Sequence, residues 1–502
     1  MKNKFYITTT LPYVNAEPHI GFSLEIVQAD VIARYQRALG KDVFFNTGTD
    51  EHGLKIYRKA LEENKNPQDY VDEYAAKYEC LKRALNLSYT NFIRTTDAHH
   101  VLAAQKFWIR CLKNGDIYKK NYKIKYCVGC ELEKTDSELA KGKCPIHPNL
   151  SLEQIEEENY FFRFSKYRQP LLDFYKKYPD FVIPVSRFAE VKSFIRQGLR
   201  DFSVSRLKEK MPWGVPVPGD DSQVFFVWFD ALINYISALG WPEQKKNFRA
   251  YWGNKRNPNA LQVAGKDNLR QQSAIWQAML MSAGLPNSRK IIIHGFITVA
   301  GQKMSKSLGN VVSPFELVKK YGTDPVRYFL LREIPPTEDG DFTYEKFESR
   351  YNSDLANGLG NLAARVITLA KISNTELPLV EAKVKKRTEF SSPFKFLISK
   401  QIQNPKFKTT INKTWGKYHK ALGEFKFNEA LVAVWNLIGF CDRYIEKEKP
   451  WEKSQKQKEV IGDLLLAINE IAKLLEPFLP ETSEKIFQQL KNKKSKSLFP
   501  RI

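Results

Sequence analysis

What most limits the fold of this chain is a unit that occurs twice, on either side of a cysteine-bearing stretch. Residues 5–10 alternate and are rich in Thr, Ile and aromatic side chains, which predicts a strand. Leu24, Val27, Val31, Tyr35 and Leu39 then recur at helical spacing up to Gly40, a residue suited to the position after a helix. Val43-Phe44-Phe45 predicts a second, buried strand. Strand, loop, helix, glycine and strand form a βαβ unit, which requires a parallel sheet and a right-handed crossover. The same grammar returns with the strand Leu261-Gln262-Val263, a turn at Gly265-Lys266-Asp267, a helix over residues 269–282 closed by Gly284, and a strand at Ile291-Ile292-Ile293. The expected fold is α/β. A split Rossmann-like parallel-sheet domain (1–116 and 223–297) is interrupted by a metal-binding insertion (117–222). A linking region (298–350) and an α-helical bundle (351–502) follow.

Ligands of such sheets bind at the carboxyl ends of the strands. Two loops there carry phosphate-type chemistry. Pro18-His19-Ile20-Gly21 opens the first helix, where backbone N–H groups and an imidazole can approach an anion. Lys303-Met304-Ser305-Lys306-Ser307 follows the last strand and sets two lysines three positions apart in a Ser-rich turn. More than half the chain separates them, so only a fold that closes on itself makes them one site. Thr47-Gly48-Thr49-Asp50-Glu51-His52-Gly53 follows another strand.

At 502 residues and 58.2 kDa the chain exceeds one core and predicts roughly three or four domains. No apolar run reaches the roughly 20 residues that cross a bilayer. Met1-Lys2-Asn3-Lys4-Phe5 leads straight into strand pattern without a signal-peptide core, so the expected location is the cytoplasm. A net charge of +23 and a pI near 9.5 favour a polyanionic partner. A uniformly Lys-rich proteome would give the same composition, so the charge alone does not decide.

Cys127-Val128-Gly129-Cys130 and Cys144-Pro145-Ile146-His147 each place two ligand-type residues two positions apart. Such turns aim paired ligands at one tetrahedral cation. Closed Cys₃His coordination leaves no place for water, which predicts one structural zinc ion. Cys80, Cys111 and Cys441 lie in helical patterns and are expected in the core.

Downstream, Ser313-Pro314 and Asp324-Pro325 each predict an N-cap followed by proline. Residues 357–369, 428–440 and 460–475 have helical periodicity. The tail Lys491-Asn492-Lys493-Lys494-Ser495-Lys496-Ser497 is expected to fray.

The two loops resemble the paired HIGH and KMSKS signatures of class I aminoacyl-tRNA synthetases. The series Leu11-Pro12-Tyr13-Val14-Asn15-Ala16-Glu17-Pro18-His19-Ile20-Gly21, Gly48-Thr49-Asp50-Glu51-His52-Gly53 and Val227-Trp228-Phe229-Asp230-Ala231 is similar to the methionyl-tRNA synthetases. So are residues 157–163 and 201–206, and the resemblance spans the whole chain. It implies that ATP and methionine are joined as an adenylate and the methionyl group passed to tRNA(Met), with magnesium accompanying ATP. It implies that His19, Lys303 and Lys306 act in catalysis and that Pro18, Gly21, Phe22, Asp267 and Ser305 join them around ATP. Methionine is expected against Leu11, Tyr13, Asp50, Trp228, Ala231, Tyr235 and Gln272. Asp50 suits the ammonium group, and the rings suit a thioether. In the bundle Asn361, Arg365 and Trp451 are implied to read the CAU anticodon. Patterns in sequence alone assign Trp228 and Tyr235 to an ordinary core and Asn361 and Arg365 to helix bracing.

Two positions depart from the family. Phe22 stands where the motif ends in a second His, and Gln272 where a His is common. Other readings are a class I enzyme for Leu, Ile, Val or Cys, a nucleotidyltransferase without tRNA, and a tRNA-binding protein without catalysis. An editing domain needs a larger insertion than this one, and a cysteine-gripping zinc needs an open site. A monomer is expected, because no appended tRNA-binding barrel follows the bundle.

Overall fold

In the computed structural model, which describes residues 3–130, 132–134, 138–304, 309–375, 404–452 and 454–502, a six-stranded sheet organises the amino-terminal part. Its strands are β1 (Lys4–Thr8), β2 (Asp42–Thr49), β3 (Asn91–Arg94), β4 (Val182–Ile183), β5 (Ala260–Gly265) and β6 (Lys290–His294). They lie in the order β3-β2-β1-β5-β6-β4, and every neighbouring pair is parallel. The two halves of the split domain therefore meet along the β1–β5 seam. The inserted stretch gives the sheet its edge strand β4.

Both faces of this sheet are covered, as a parallel sheet requires. Side chains alternate between two cores. Tyr6 joins Trp108, Trp252 and Trp276 on one side, while Ile7 joins Leu24, Val27 and Val263 on the other. Ile291 and Ile293 belong to the first core and Ile292 to the second. The helix Ile20–Ala38 links β1 to β2, and Gly40, at φ 80°, turns the chain back as predicted.

The insertion carries an antiparallel sheet. Its long hairpin pairs Ile117–Cys127 with Glu153–Phe162, and the flanking strands are Leu132–Lys134 and Phe202–Ser203. The Cys₃His residues sit at the hairpin's far end. A small sheet of Ile297–Val299, Gln302–Lys303 and Gly340–Phe342 holds the start of the lysine loop.

Beyond it helices dominate: Thr323–Arg332, Asn361–Ile372, Pro405–Gly423, Phe427–Glu448, Gln457–Leu475 and Pro480–Asn492. The bundle joins the sheet domain through Arg327, whose side chain is fully buried. Its guanidinium pairs with Asp30 at 2.8 Å and donates to the carbonyls of Leu85, Pro477 and Phe478. One side chain thus ties the first helix of the sheet domain to the last corner of the bundle.

Four expectations need correction. Asp324 is not an N-cap: the helix begins at Thr323 after Gly322, and Asp324 instead accepts from the Thr482 N–H at 2.6 Å. Cys80 is exposed, because its helix turns that face to solvent, whereas Cys111 and Cys441 are buried. The tail is tied down rather than frayed. Gln489 accepts from and donates to the Lys496 backbone, and Leu498 and Phe499 are buried. A residue run that looks only basic in sequence is anchored by the two apolar residues behind it. The helix Pro405–Gly423 had no counterpart among the expected elements, since five Lys and three Thr blur its apolar stripe of Phe407, Ile411, Tyr418 and Leu422.

Candidate active site

The carboxyl ends of β1, β2, β5 and β6 converge on one cleft. His19 caps the first helix, and its Nδ1 accepts from the Gly21 N–H at 3.0 Å. That bond leaves the Nε2 edge to meet a ligand. Burial lowers the pKa of the ring, which favours the neutral imidazole. The two distant loops do come together here. The Ile20 N–H donates to the carbonyl of Val312 at 3.1 Å. A Cβ on Gly21 would lie 2.8 Å from His19 Cε1 and 3.4 Å from the Met304 methyl, so a side chain there would press on both loops. Lys303 extends from its strand with Nζ 5.6 Å from the Phe296 ring centre. Ser305 and Lys306 lie outside the described residues.

Pro18 is buried under the turn. Phe22 packs edge-on against Tyr78, with ring centres 5.6 Å apart, and offers no hydrogen-bond donor. Asp267 stands in a short 3₁₀ turn after β5, beside Gly265 and His294.

Asp50 follows β2 and is buried. The backbone stitches it to the first loop: the Asp50 N–H donates to Pro12 at 3.0 Å, and the Val14 N–H donates to Asp50 at 3.3 Å. Tyr13, bridged to Asp50, and Leu11 are half-buried at the same edge. Trp228, half-buried, and Ala231, buried, come from the short helix Val227–Ala231, and Tyr235 from the next turn. Gln272 falls in a π-helical stretch, Gln271–Ile275, a deformation frequent at functional sites. Its amide donates to the Tyr235 hydroxyl at 2.6 Å and accepts from Gln262 at 3.1 Å. The indole N–H of Trp228 is buried without a hydrogen-bond partner among the described residues.

Sequence reasoning missed Glu25 and His294, which meet in this cleft at 2.9 Å. Glu25 also accepts from the Thr10 N–H and hydroxyl, both at 2.6 Å, and so holds the end of β1. Burial pushes the His294 pKa down, but the Glu25 carboxylate and the Gly295 carbonyl outweigh it and raise it. An ionisable residue directly after a buried Ile run was the available signal.

At the hairpin end, the donor atoms of Cys127, Cys130, Cys144 and His147 all lie within 4.8 Å of one another. Cys130 Sγ is 3.4 Å from Cys144 Sγ and 3.2 Å from His147 Nδ1. Metal bonds of about 2.0–2.3 Å at tetrahedral angles demand edges of similar size. A Cβ on Gly129 would be 2.6 Å from the His147 ring, so the turn needs glycine there. Burial lowers the His147 pKa, as do Lys55, Lys303 and Lys134, keeping the ring in its ligating form. Burial raises Cys144, yet the N–H groups of His147 and Ile146 outweigh it and lower its pKa. Cys130 is pushed up to about 12 by burial and by the neighbouring Cys144 sulfur. Two sulfurs this close ionise together only with a cation between them. The four residues fit zinc.

In the bundle, Ala364, Arg365, Thr368, Leu369 and Trp451 line an open groove of about 310 Å³. Trp451 is 49% exposed, so it is a surface ring and not core. Arg365 pairs with Glu446 at 2.6 Å. Asn361 is exposed at the start of the same helix, outside the groove lining.

A family described as "tRNA synthetases class I (M)" matches residues 5–154 and 149–367, and an "Anticodon-binding domain of tRNA ligase" matches residues 406–501. A methionine–tRNA ligase of Thermotoga maritima is 41% identical over 496 residues, covering 97% of this chain and 75% of the relative. One from Rickettsia typhi is 39% identical over 507 residues, covering 100% and 96%. The structure of Mycobacterium tuberculosis methionyl-tRNA synthetase with methionyl-adenylate superposes with a TM-score of 0.87 at 35% identity, covering 99% of this chain and 96% of that one.

Proposed function

For a chain that belongs to the methionine-specific class I tRNA synthetases, we propose how its own residues divide the work of a methionine–tRNA ligase. The activity is ATP-dependent: methionine and ATP give methionyl-adenylate and pyrophosphate, and the methionyl group then passes to tRNA, supplying translation.

In the first step a methionine carboxylate oxygen bonds to the α-phosphorus while the bond to pyrophosphate breaks. No protein nucleophile is required, so orientation and charge stabilisation carry the rate. Asp50 receives the substrate ammonium group. Tyr13, Trp228, Tyr235, Ala231 and Leu11 enclose the thioether, and Gln272 orients the Tyr235 hydroxyl. His19, neutral and presenting Nε2, donates to the phosphates beside Pro18 and Gly21. Phe22 backs the adenosine end, and Asp267 meets the ribose hydroxyls. Lys303, Lys306 and Ser305 gather the leaving pyrophosphate, whose charge grows most in the transition state. A magnesium ion bound with ATP would share that charge. Zinc at Cys127, Cys130, Cys144 and His147 would brace the hairpin tip and take no part in bond making. In the second step a terminal ribose hydroxyl of tRNA attacks the acyl carbon and AMP leaves. Arg365, Trp451 and Asn361 receive the CAU anticodon. The reading includes a monomer working in the cytoplasm.

The observation that carries it is the convergence of His19, Met304 and Val312 at one helix start, with Asp50 stitched to the loop that leads into that helix. The test is single-turnover adenylate formation. Lys303→Ala and Lys306→Ala are expected to slow it on the order of 100-fold with methionine affinity nearly unchanged. Normal adenylation in both would remove these lysines from their role.

A further inference from the structure

Of the segments that form the methionine pocket in the reading above, three carry a buried polar residue two positions beyond a pocket residue. These are His52 after Asp50, Asp230 after Trp228, and Ser237 after Tyr235. The three are joined behind the pocket. His52 Nδ1 is 2.6 Å from one carboxylate oxygen of Asp230, and His100 Nε2 is 2.9 Å from the other. His100 Nδ1 in turn is 2.9 Å from the Ser237 hydroxyl. His52, His100, Asp230 and Ser237 are 6%, 0%, 1% and 1% exposed, so none of these groups is there to meet solvent. The far side of His52 packs on Trp213, with ring centres 5.6 Å apart, and the Trp213 indole donates to the Glu51 carbonyl at 2.5 Å.

A buried carboxylate is costly unless every lone pair is met. An apolar residue would hold a helix turn in place equally well. A carboxylate clasped by two imidazoles from different elements does something packing alone does not, because its short, directional bonds fix a distance. The Asp230 carboxylate remains ionised: burial raises its pKa, but the His52 charge and the bonds from both rings outweigh it and hold it down at about 2. Arg94 and Asp72 adjoin the network only through Glu51, on the far side of the His52 backbone.

We propose that Asp230, gripped between His52 and His100, is a positioning residue that sets the distance between the Trp228–Tyr235 wall and Asp50, and with it the enzyme's grip on methionine. Its substrate is the one already assigned to the site, so the proposal rests on that assignment. Loosening the clasp lets the wall drift from Asp50, which weakens methionine binding and blurs the length of side chain accepted. ATP contacts, built on other strands, are left alone.

The test is ATP–pyrophosphate exchange on the full-length, zinc-loaded protein, with methionine and ATP varied separately and norleucine and ethionine as alternative substrates. His52→Leu and Asp230→Asn are expected to raise KM for methionine about tenfold, keep KM for ATP within about twofold, and narrow the preference for methionine over both analogues. His52→Asn keeps a donor at the Nδ1 position and should restore KM; His100→Gln does the same at Nε2. Both are also the fallback if Asp230→Asn fails to fold. The proposal is overturned if the losses track the fraction of unfolded protein, with both KM values and the analogue preference unchanged, or if His52→Asn is as impaired as His52→Leu. Asp50→Asn and Trp228→Ala separate the premises. If they leave KM for methionine unchanged, the pocket assignment fails. If they raise it while the clasp variants do not, the clasp alone fails.

Discussion

Asp463 shows what a single buried carboxylate does to stability. It is 4% exposed in the helix Gln457–Leu475, and its Oδ2 has no hydrogen-bond partner among the described residues. Burial, then the charge of Glu459, raises its pKa to about 6. The folded protein therefore binds this proton more tightly than the unfolded chain, where Asp titrates near 3.9. Stability is then lost as pH rises from about 4 through about 6, and stays lowered above. Asp463→Asn is expected to add on the order of 1–2 kcal/mol at neutral pH and to flatten that slope. Urea unfolding at pH 4.5 and 7.5 measures both; an unchanged difference between the two pH values would rule the assignment out. Sequence did not reveal this residue, since a lone Asp in an apolar helix reads as a solvent-facing position. His294 escaped for a different reason, its partner Glu25 lying on a helix far away in the chain.

Among the elements, the Cys₃His hairpin was legible because ligand spacing is local. Two residues between donors suffice to aim both at one ion. Metal analysis of purified protein should give about one zinc per chain. Chelation should lower the thermal stability of the insertion, with no loss of the sheet's circular-dichroism signal. Active protein without metal after metal-replete expression would sink the idea. Two other elements were not legible. The π-helical stretch that presents Gln272 has an ordinary helical pattern in sequence, and the edge strand β4 is only two residues long. Both are imposed by neighbours: Ile291 and Ile292 for the strand, and the Tyr235 hydroxyl for the amide.

Across the whole molecule, sheet domain and bundle act as one body through Arg327. Arg327→Met strips one of two guanidiniums from the buried Asp30, which keeps Arg34 and Ser88, and takes the donor from the carbonyls of Leu85, Pro477 and Phe478. Such breakage costs about 3–5 kcal/mol, so the melting temperature should drop and both half-reactions should suffer. A melting temperature within a degree of the parent would contradict the role. Trp451 should behave in the opposite way. Being half-exposed, it can be removed without a cavity. Trp451→Ala is expected to lose about 1–3 kcal/mol of tRNA recognition while methionine-dependent exchange persists. Equal loss of exchange and charging, with destabilisation, would return Trp451 to a structural part.

The sequence by itself determined the parallel sheet, its interruption, the Cys₃His cluster and both loop motifs. Each of these depends on periodicity or on spacing within a few residues, which local chemistry enforces. Only the tertiary structure decided which distant groups touch. It placed Met304 and Val312 at the helix that His19 caps, bound Glu25 to His294, and clasped Asp230 between two histidines. It also tied down the basic tail and set Phe22 edge-on against Tyr78. Those contacts arise from closing a sheet whose halves are far apart in the chain. No local pattern encodes the register at which such halves meet; the packing of both faces against their two cores does.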